Sequence, residues 1–301
     1  MNATKGQFET MVENEVKKIK GNYTPVKTSF LRRLLTKFLK CGQLHPNPGD
    51  EFCEPSIGPN HGIISHYMED IKDGKYHGKT DFFDEPVMVE KITPDGYLLL
   101  NGHHRWAAAI KMGLPKIRVK IINLTQQKDI REMLGRAKST RRAAVDLDEV
   151  VFRAEYDDLT EKPLCFPFNR TYKDPMRLGI PALFNFLNEH GYDIWVYTAR
   201  YYSFESIQQY FWLHHTRVCG VVTGTRRKIS EFAAASAQMD KMMSEQYEYT
   251  LHIDNDSLVR INNRTKDFED YEIGGPAIEW AQHVQEIISR IEKDEKTESR
   301  E

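Results

Sequence analysis

The first half of the chain shows short, mixed hydrophobic patterns. Apolar residues at helical spacing predict two helices within residues 9–40, and a Pro- and Gly-rich loop follows at residues 45–62. A further helix is predicted at residues 64–71. The apolar runs PVMVEKI and YLLLNG flank a Pro-Asp-Gly turn and predict a β-hairpin, after which an Ala-rich helix and the strand KIRVKIINL follow. Residues 1–130 are therefore predicted to form a smaller α+β domain, with its core at about 40–124.

After about residue 140, strands and helices alternate regularly. The strand-like runs AAVDLD, YDIWVYTAR, VCGVVTG and YTLHIDND are separated by segments with helical periodicity. This α/β pattern is typical of a parallel sheet covered by helices on both faces, which binds its ligands at the carboxyl ends of the strands. We expect this second domain at residues 138–295. The polar stretch 125–142 is predicted to connect the domains, and the tail EKDEKTESRE is predicted to be disordered.

Composition agrees with two globular domains and excludes some other classes. A chain of 301 residues suits two domains, and no run approaches the roughly 18 apolar residues of a membrane span. The N-terminus lacks a signal-like apolar stretch, so we expect a cytoplasmic protein without a membrane partner. The net charge of −2 gives no overall attraction to nucleic acid. The basic segments at residues 17–40, 136–142 and 226–228 fit solvated helix faces or contacts with a phosphate backbone.

Acidic residues follow two of the predicted strands in the second half. Asp146 and Asp148 end the run AAVDLD, and residues two apart in a continuing strand point to the same face. Asp254, Asn255 and Asp256 follow the strand YTLHI. Parallel strands would bring both groups to one edge of the sheet, where their oxygen ligands suit magnesium. The sequence therefore predicts a Mg²⁺ site there.

Two further residues complete a site for phosphoryl transfer. Thr198 ends the strand DIWVYT, where its hydroxyl can donate to a phosphate oxygen. Lys228 follows the strand VCGVV and can neutralise the phosphate, although Arg227 and Lys241 compete for this basic role. A positioned nucleophile, positive charge on the phosphate oxygens and a proton donor for the leaving group suffice for this chemistry.

These motifs, in this order, resemble the haloacid dehalogenase superfamily of phosphatases, over about residues 140–290. The resemblance implies a Rossmann-like parallel sheet, Mg²⁺ as cofactor, and catalytic roles for Asp146, Asp148, Thr198 and Lys228. Asp146 would attack phosphorus to form an aspartyl-phosphate, and Asp148 would act as general acid and base. The implied metal ligands are Asp146, the backbone carbonyl of Asp148, Asp254 and the second position of the last motif, which is Asn255 with Asp256 one place later. The segment after Val150 is short for a lid, which leaves the site open to large substrates.

A second candidate site lies in the first half, at the sequence NGHHRW. A predicted strand delivers Asn101 and Gly102 to the start of a helix, where free backbone N–H groups, His103, His104 and Arg105 would bind an anion. The segment from about residue 40 to 124 resembles the ParB and sulfiredoxin superfamily, and its His-His-Arg form resembles the free serine kinases of that group. The resemblance implies that ATP, ADP or CTP binds at this turn. Asn101 stands where the kinases usually have Asp, and Glu51 and Glu54 are candidate acids nearby.

Together the two halves predict a bifunctional phosphate-handling enzyme: a nucleotide-binding domain with a kinase activity, followed by a phosphatase. This combination is similar to polynucleotide kinase-phosphatases, so DNA or RNA ends are the first expected substrates. Free nucleotides and small phosphorylated metabolites come next. The alternative is a regulator, in which a ParB-like domain binds nucleic acid or nucleotide and the hydrolase domain is vestigial.

Overall fold

The computed structural model of the protein describes residues 6–73, 85–225 and 230–298. This part of the chain divides into two compact units: the first consists of the residues up to Leu124 together with 230–233, and the second of the remaining residues from Thr125 onward. Each unit contains a six-stranded sheet with helices, so the predicted mixed α/β architecture is confirmed. Among the described helices, none has both the length and the apolar composition that crossing a bilayer requires.

The first unit is built from short elements around a mixed sheet. Its helices are α1 (Gln7–Ile19), α2 (Phe30–Leu35), α3 (His61–Lys72) and α4 (His103–Lys111). Its strands are β1 (Thr24–Pro25), β2 (Phe38–Lys40), β3 (Leu44–His45), β4 (Val87–Thr93), β5 (Tyr97–Asn101) and β6 (Lys116–Ile121). The strand order is β2-β6-β4-β5-β3, and β1 pairs with β4. The predicted hairpin is the antiparallel pair β4–β5, with Lys91 opposite Tyr97.

One part of the first unit differs from the predicted pattern. The second helix of residues 9–40 ends at Leu35, and Phe38–Lys40 pairs as strand β2 with β6. The apolar residues of α2 are not the core of the unit, because Leu31 and Leu35 are largely exposed. The core is instead made by the sheet and by Trp106 and the alanines of α4, which are fully buried.

The second unit carries the longer sheet. Its strands are β7 (Arg141–Asp146), β8 (Tyr192–Thr198), β9 (Gly220–Thr223), β10 (Tyr249–Ile253), β11 (Ser257–Asn262) and β12 (Phe268–Glu272). Its helices are α5 (Gln127–Leu134), α6 (Ile180–Glu189), α7 (Phe204–Leu213), α8 (Ser230–Gln246) and α9 (Trp280–Glu298). The strand order is β12-β11-β10-β7-β8-β9, in which β10, β7, β8 and β9 are parallel and β11 and β12 extend the edge antiparallel.

Both faces of this sheet are covered, as the alternation of strands and helices predicts. Helices α6, α7 and α9 pack on one face through residues such as Phe184, Phe211 and Ile288. Helices α5 and α8 cover the other face around Trp195 and Tyr247. Burial on both faces explains why the central strands are continuously apolar. Because the buried central residues hold the strands in register, the positions of the strand ends and of their polar side chains are also determined.

Two terminal stretches of the second unit are more ordered than their polar sequences predict. Residues 127–134 were expected to belong to a connection between domains, but they form α5, whose Ile130 and Met133 are buried in the core. The tail was expected to be disordered, but α9 continues through Glu298 and buries Ile291 and Glu292. Burial of Ile130 and Met133 stabilises α5, although its other residues are mostly polar. In the tail, the polar end of α9 is held by side-chain pairs: His190 lies 2.7 Å from Glu292, and Arg141 pairs with Glu295 at 2.8 Å.

Candidate functional site

The carboxyl ends of three adjacent strands bring together several of the predicted site residues. Val145 of β7 pairs with Ile253 of β10, so Asp146 and Asp254 follow in matched register. On the other side, β7 pairs with β8, which ends at Thr198. The topology therefore places Asp146, Asp254 and Thr198 at one edge of the sheet, as the strand pattern predicted.

Asp148 reaches this edge by a different backbone path from the one expected. Strand β7 ends at Asp146, and Leu147–Val151 forms a single π-helical turn. Asp146 caps this turn, because its Oδ1 accepts hydrogen bonds from the amides of Asp148, at 2.6 Å, and Glu149, at 2.9 Å. A tight turn therefore positions the Asp148 carboxylate, and the predicted continuation of the strand through this residue is wrong.

The Asp146 carboxyl lies in an electrostatically unfavourable position for its ionised form. Burial raises its pKa, and the nearby carboxylates of Asp148 and Glu149 act in the same direction. The two backbone amides that bind Asp146 oppose this shift without cancelling it. A group of positive charge beside Asp146 would favour the ionised form.

Asp148 is held by several donors. The buried hydroxyl of Thr198 donates to its carboxylate, with Oγ1 at 2.9 and 3.0 Å from the two oxygens, and the Ala199 amide donates at 2.9 Å. Arg200 Nε lies 3.2 Å from Asp148 Oδ1. Thr198 was expected to donate to a phosphate; in this structure it donates to Asp148 and accepts from the Arg200 amide at 3.0 Å.

The acidic segment after β10 is paired with an arginine that the sequence motifs did not include. Arg177 donates to the side-chain oxygen of Asn255 and stacks on the Trp280 ring, with 4.6 Å from Cζ to the ring centroid. Burial lowers the Arg177 pKa, as does Arg153, while the carboxylates of Asp256 and Asp254 oppose the change. The Asn255 oxygen is thus occupied by a guanidinium, and its predicted role as a metal ligand stays a prediction.

The structure describes the predicted metal ligands but only one of the three candidate basic residues. Across residues 6–73, 85–225 and 230–298, no three His, Cys, Asp or Glu side chains group together as a metal site. The set implied by the resemblance uses two carboxylates, Asp146 and Asp254, with the Asp148 carbonyl, and all are hard oxygen donors of the kind magnesium prefers. Lys228 lies outside the described residues, as does Arg227. The third basic candidate, Lys241, is exposed on α8, with its Nζ 3.8 Å from Glu245.

The residues that sequence reasoning missed at this edge form an ion-pair network. Arg200 bridges Asp148 and Asp174, with its Nη1 3.7 Å from Asp174 Oδ1. The Tyr202 hydroxyl donates to the same Asp174 oxygen at 3.0 Å. A weak signal was present for Arg200, which follows Thr198 by two residues at a strand end. No signal marked Asp174, which lies in the segment between the first strand and its helix.

The turn in the first unit has the predicted strand-to-helix geometry. Exposed Asn101 ends β5, and Gly102 adopts a φ of +93° immediately before α4. A Cβ at Gly102 would lie 3.0 Å from Val87 and 3.2 Å from Arg105 Nη2, and the positive φ would strain any other residue, so the position favours glycine. Arg105 is buried and donates to the Glu85 carbonyl, and its Nε has no hydrogen-bond partner among the described residues.

The two histidines of this turn bind the preceding loop. His103 Nε2 accepts from the Asn47 amide and His104 Nε2 accepts from the Asn60 amide, both at 3.2 Å. Burial lowers the pKa of His103 to about 4, against the opposing effect of Asp50, and burial also lowers the pKa of His104. Both rings are therefore neutral near pH 7, so positive charge at the turn comes from Arg105 and the start of α4.

The candidate acids of this loop are less tightly placed. Glu51 and Glu54 are exposed, and Glu54 accepts a hydrogen bond from Ser56 at 2.9 Å. Asp50 lies closer to the turn, with Oδ1 3.7 Å from His103 Nδ1. The sequence reasoning did not include Asp50, although its position two residues after Pro48 in a polar loop is a weak signal.

Comparison with known proteins supports the assignment of the first unit. A family model described as the ParB N-terminal domain matches residues 68–137, a segment that contains β4, β5, the Gly102–Arg105 turn and β6. No curated protein and no solved structure matches the chain. The predicted likeness to ParB-type domains is confirmed over this segment.

Proposed function

We propose that the second unit is a magnesium-dependent phosphohydrolase of the haloacid dehalogenase type that acts on phosphate monoesters. The observation that carries the proposal is that Asp146 and Asp254 directly follow Val145 and Ile253, which are paired on adjacent parallel strands, beside an Asp148 carboxylate held by Thr198 and Ala199. Parallel α/β sheets bind their ligands at this edge. Nucleic-acid ends or nucleotides are the proposed substrates.

The residues at this edge support a two-step reaction. Asp146 attacks phosphorus and forms an acyl phosphate as the bond from phosphorus to the leaving oxygen breaks, and Asp148 gives that oxygen its proton. Asp148 then accepts a proton from the water that attacks the aspartyl-phosphate, which releases inorganic phosphate and restores Asp146. Magnesium held by Asp146, Asp254 and the Asp148 carbonyl would supply positive charge against the phosphate oxygens.

The first unit is proposed to bind a nucleotide such as ATP, ADP or CTP at the Gly102–Arg105 turn. The ParB match supports nucleotide or nucleic-acid binding. The proposal is supported by the Nε of Arg105, which has no hydrogen-bond partner among the described residues, and by the start of α4 beside it, because an N–H donor next to a helix N-terminus suits a phosphate. A kinase activity of this unit would make the protein a bifunctional kinase-phosphatase.

A second reading is a ParB-like regulator whose hydrolase unit is vestigial. The family match favours it, because the match lies mainly in the first unit, over residues 68–137, and ends before β7. Hydrolysis of p-nitrophenyl phosphate with Mg²⁺ separates the two readings. We expect activity that Asp146→Asn abolishes and that Asp270→Asn, a change at an exposed residue of β12, retains. Equal activity of the parent and Asp146→Asn would rule out the nucleophile, and no activity in any protein would favour the regulator.

Nucleotide binding by the first unit is tested by thermal shift with ATP, ADP and CTP. We expect at least one nucleotide to raise the Tm of the parent. In Arg105→Ala the shift, measured against the same variant without nucleotide, should disappear. Arg118→Ala, which changes an exposed arginine of β6, is the matched control and should respond like the parent. A full shift in Arg105→Ala would remove the phosphate role of this residue.

A further inference from the structure

The segment between the π-helical turn and α6 contains an exposed stretch that is both aromatic and cationic. From Lys162 to Lys173 the sequence is KPLCFPFNRTYK, which carries Lys162, Arg170 and Lys173 and contains no Asp or Glu. Phe166 is 69 % exposed and Phe168 38 % exposed, although both are large apolar side chains. The Arg170 guanidinium lies over the Phe166 ring, 5.0 Å from its centroid.

This stretch is anchored beside the proposed catalytic edge. The hydroxyl of Tyr172 donates to Gln209 of α7 at 2.9 Å, and the hydroxyl of Tyr210 donates to the Asp174 carbonyl at 2.9 Å. Asp174 in turn pairs with Arg200, which pairs with Asp148. One ion-pair bridge therefore separates the end of the stretch from the proposed general acid. A strand bound along residues 162–173 would therefore reach the reaction at the Asp174 end of the stretch.

We propose that residues 162–173 bind a single strand of DNA or RNA whose terminal phosphate is the substrate at Asp146. This inference rests on the proposed phosphohydrolase activity and names its substrate class. Exposed aromatic rings stack on unpaired bases, and interleaved cations neutralise the phosphates between them. The pattern fits a nucleic-acid strand better than a protein partner. An apolar peptide would leave the cations without an anionic partner, and an acidic peptide would leave the aromatic rings without a stacking partner.

The test compares hydrolysis of a single-stranded oligonucleotide with hydrolysis of small phosphate esters. Phosphate release is measured from a single-stranded thymidylate about ten nucleotides long, carrying a 5′- or a 3′-phosphate. The same proteins are assayed with p-nitrophenyl phosphate, with thymidine monophosphate and with a phosphopeptide. The variants are Phe166→Ala/Phe168→Ala and, as a matched control, Phe268→Ala, which removes a ring that is 73 % exposed on β12. All of the changed side chains are surface residues, and circular dichroism checks that each variant is folded.

We expect the double variant to raise KM for the oligonucleotide about tenfold or more, because a stack with an aromatic ring carries much of the affinity for each base. Its kinetics with p-nitrophenyl phosphate should not change, and Phe268→Ala should resemble the parent on every substrate. Unchanged KM for the oligonucleotide in the double variant would overturn the proposal. So would an equal loss in Phe268→Ala, or a phosphopeptide hydrolysed with a higher kcat/KM than the oligonucleotide.

A binding measurement separates this proposal from the activity on which it rests. Fluorescence anisotropy of the labelled oligonucleotide is followed with the Asp146→Asn protein, with and without the two phenylalanine changes. One outcome is that no protein hydrolyses any substrate but oligonucleotide binding still falls about tenfold in the phenylalanine variant. The phosphohydrolase assignment is then wrong, and residues 162–173 still bind the strand. If hydrolysis depends on Asp146 but oligonucleotide binding does not depend on Phe166 and Phe168, the proposed strand-binding surface is wrong and the phosphohydrolase assignment is supported.

Discussion

Replacing Thr198 by Val tests whether the Thr198 hydroxyl positions Asp148 for catalysis. The side chain is completely buried, and Val keeps its shape while removing the oxygen. Two hydrogen bonds are lost: the one donated to the Asp148 carboxylate and the one accepted from the Arg200 amide. Asp148 keeps the Ala199 amide and the Arg200 guanidinium as partners, so the carboxylate is loosened but not left unpaired.

The magnitude follows from these contacts. Losing a hydrogen bond to a charged group and leaving a buried amide without its acceptor should together destabilise the second unit by about 2–3 kcal/mol. For a unit of this size that corresponds to a Tm about 5–10 °C lower. Activity on p-nitrophenyl phosphate should fall about tenfold or more at a temperature where the variant is folded, because a misplaced general acid transfers its proton poorly.

The matched control is Thr223→Val on the next strand. Thr223 pairs in register with Thr198, is buried, and accepts a hydrogen bond from the Thr125 amide at 3.1 Å, but it does not contact Asp148. Calorimetry should show a comparable loss of stability in both variants, with the loss of activity confined to Thr198→Val. Thr198→Ser, which retains the hydroxyl, should recover most of the activity. Full activity in Thr198→Val, or an equal deficit in both variants, would refute the positioning role.

Three further outcomes are expected. Mg²⁺ at about ten times its Kd should stabilise the second unit by about 1.4 kcal/mol and raise its Tm by about 3–6 °C, and calorimetry should show no such shift in Asp146→Asn. In EDTA, the raised pKa of Asp146 in the folded state stabilises the second unit at pH values below the pKa of the unfolded chain, and this stabilisation is lost as pH rises through the folded-state pKa. Near pH 7 the Asp146→Asn variant should therefore have a higher Tm than the parent. A lower Tm of the variant would contradict this account. Gly102→Ala should destabilise the first unit by about 1–3 kcal/mol, measured by urea unfolding, because alanine is strained at a φ of +93° and its Cβ would meet Val87.

Hydrophobic pattern predicted the framework of this protein well, because burial determines that framework. The four parallel strands of the second unit alternate with helices in the sequence, and both faces of their sheet are buried in the structure. The hairpin β4–β5 and the glycine at the start of α4 also followed from local signals, a turn between apolar runs and a residue that tolerates positive φ. The antiparallel edge strands β11 and β12 were missed, because the few apolar residues of β11 form too short a pattern to indicate a strand and β12 consists mainly of exposed polar residues.

The candidate site was only partly predictable, because its chemistry depends on contacts between distant residues. Asp146 and Asp254 were found from strand ends, a feature that the sequence displays directly. The pairing of Arg177 with Asn255 and that of Arg200 with Asp174 depend on where loops of irregular backbone place long side chains. No periodicity in the sequence reports such contacts. The same limit applies to His103, which is a buried acceptor for a loop amide rather than an exposed cation.

The charges at the strand ends of the second unit argue for a divalent cation independently of any resemblance. Arg200 is already paired with Asp148 and Asp174, and Arg177 is already bonded to Asn255. Among the described residues of this edge, Asp146, Asp254 and other nearby carboxylates outnumber the guanidinium groups of Arg177, Arg200 and Arg153, so these residues would repel a phosphate ester with its own negative charge. Positive charge brought by a bound cation removes the repulsion and favours ionised Asp146 at the same time. Hydrolysis that proceeds at an undiminished rate in EDTA would therefore contradict the electrostatics of this site as well as the family assignment.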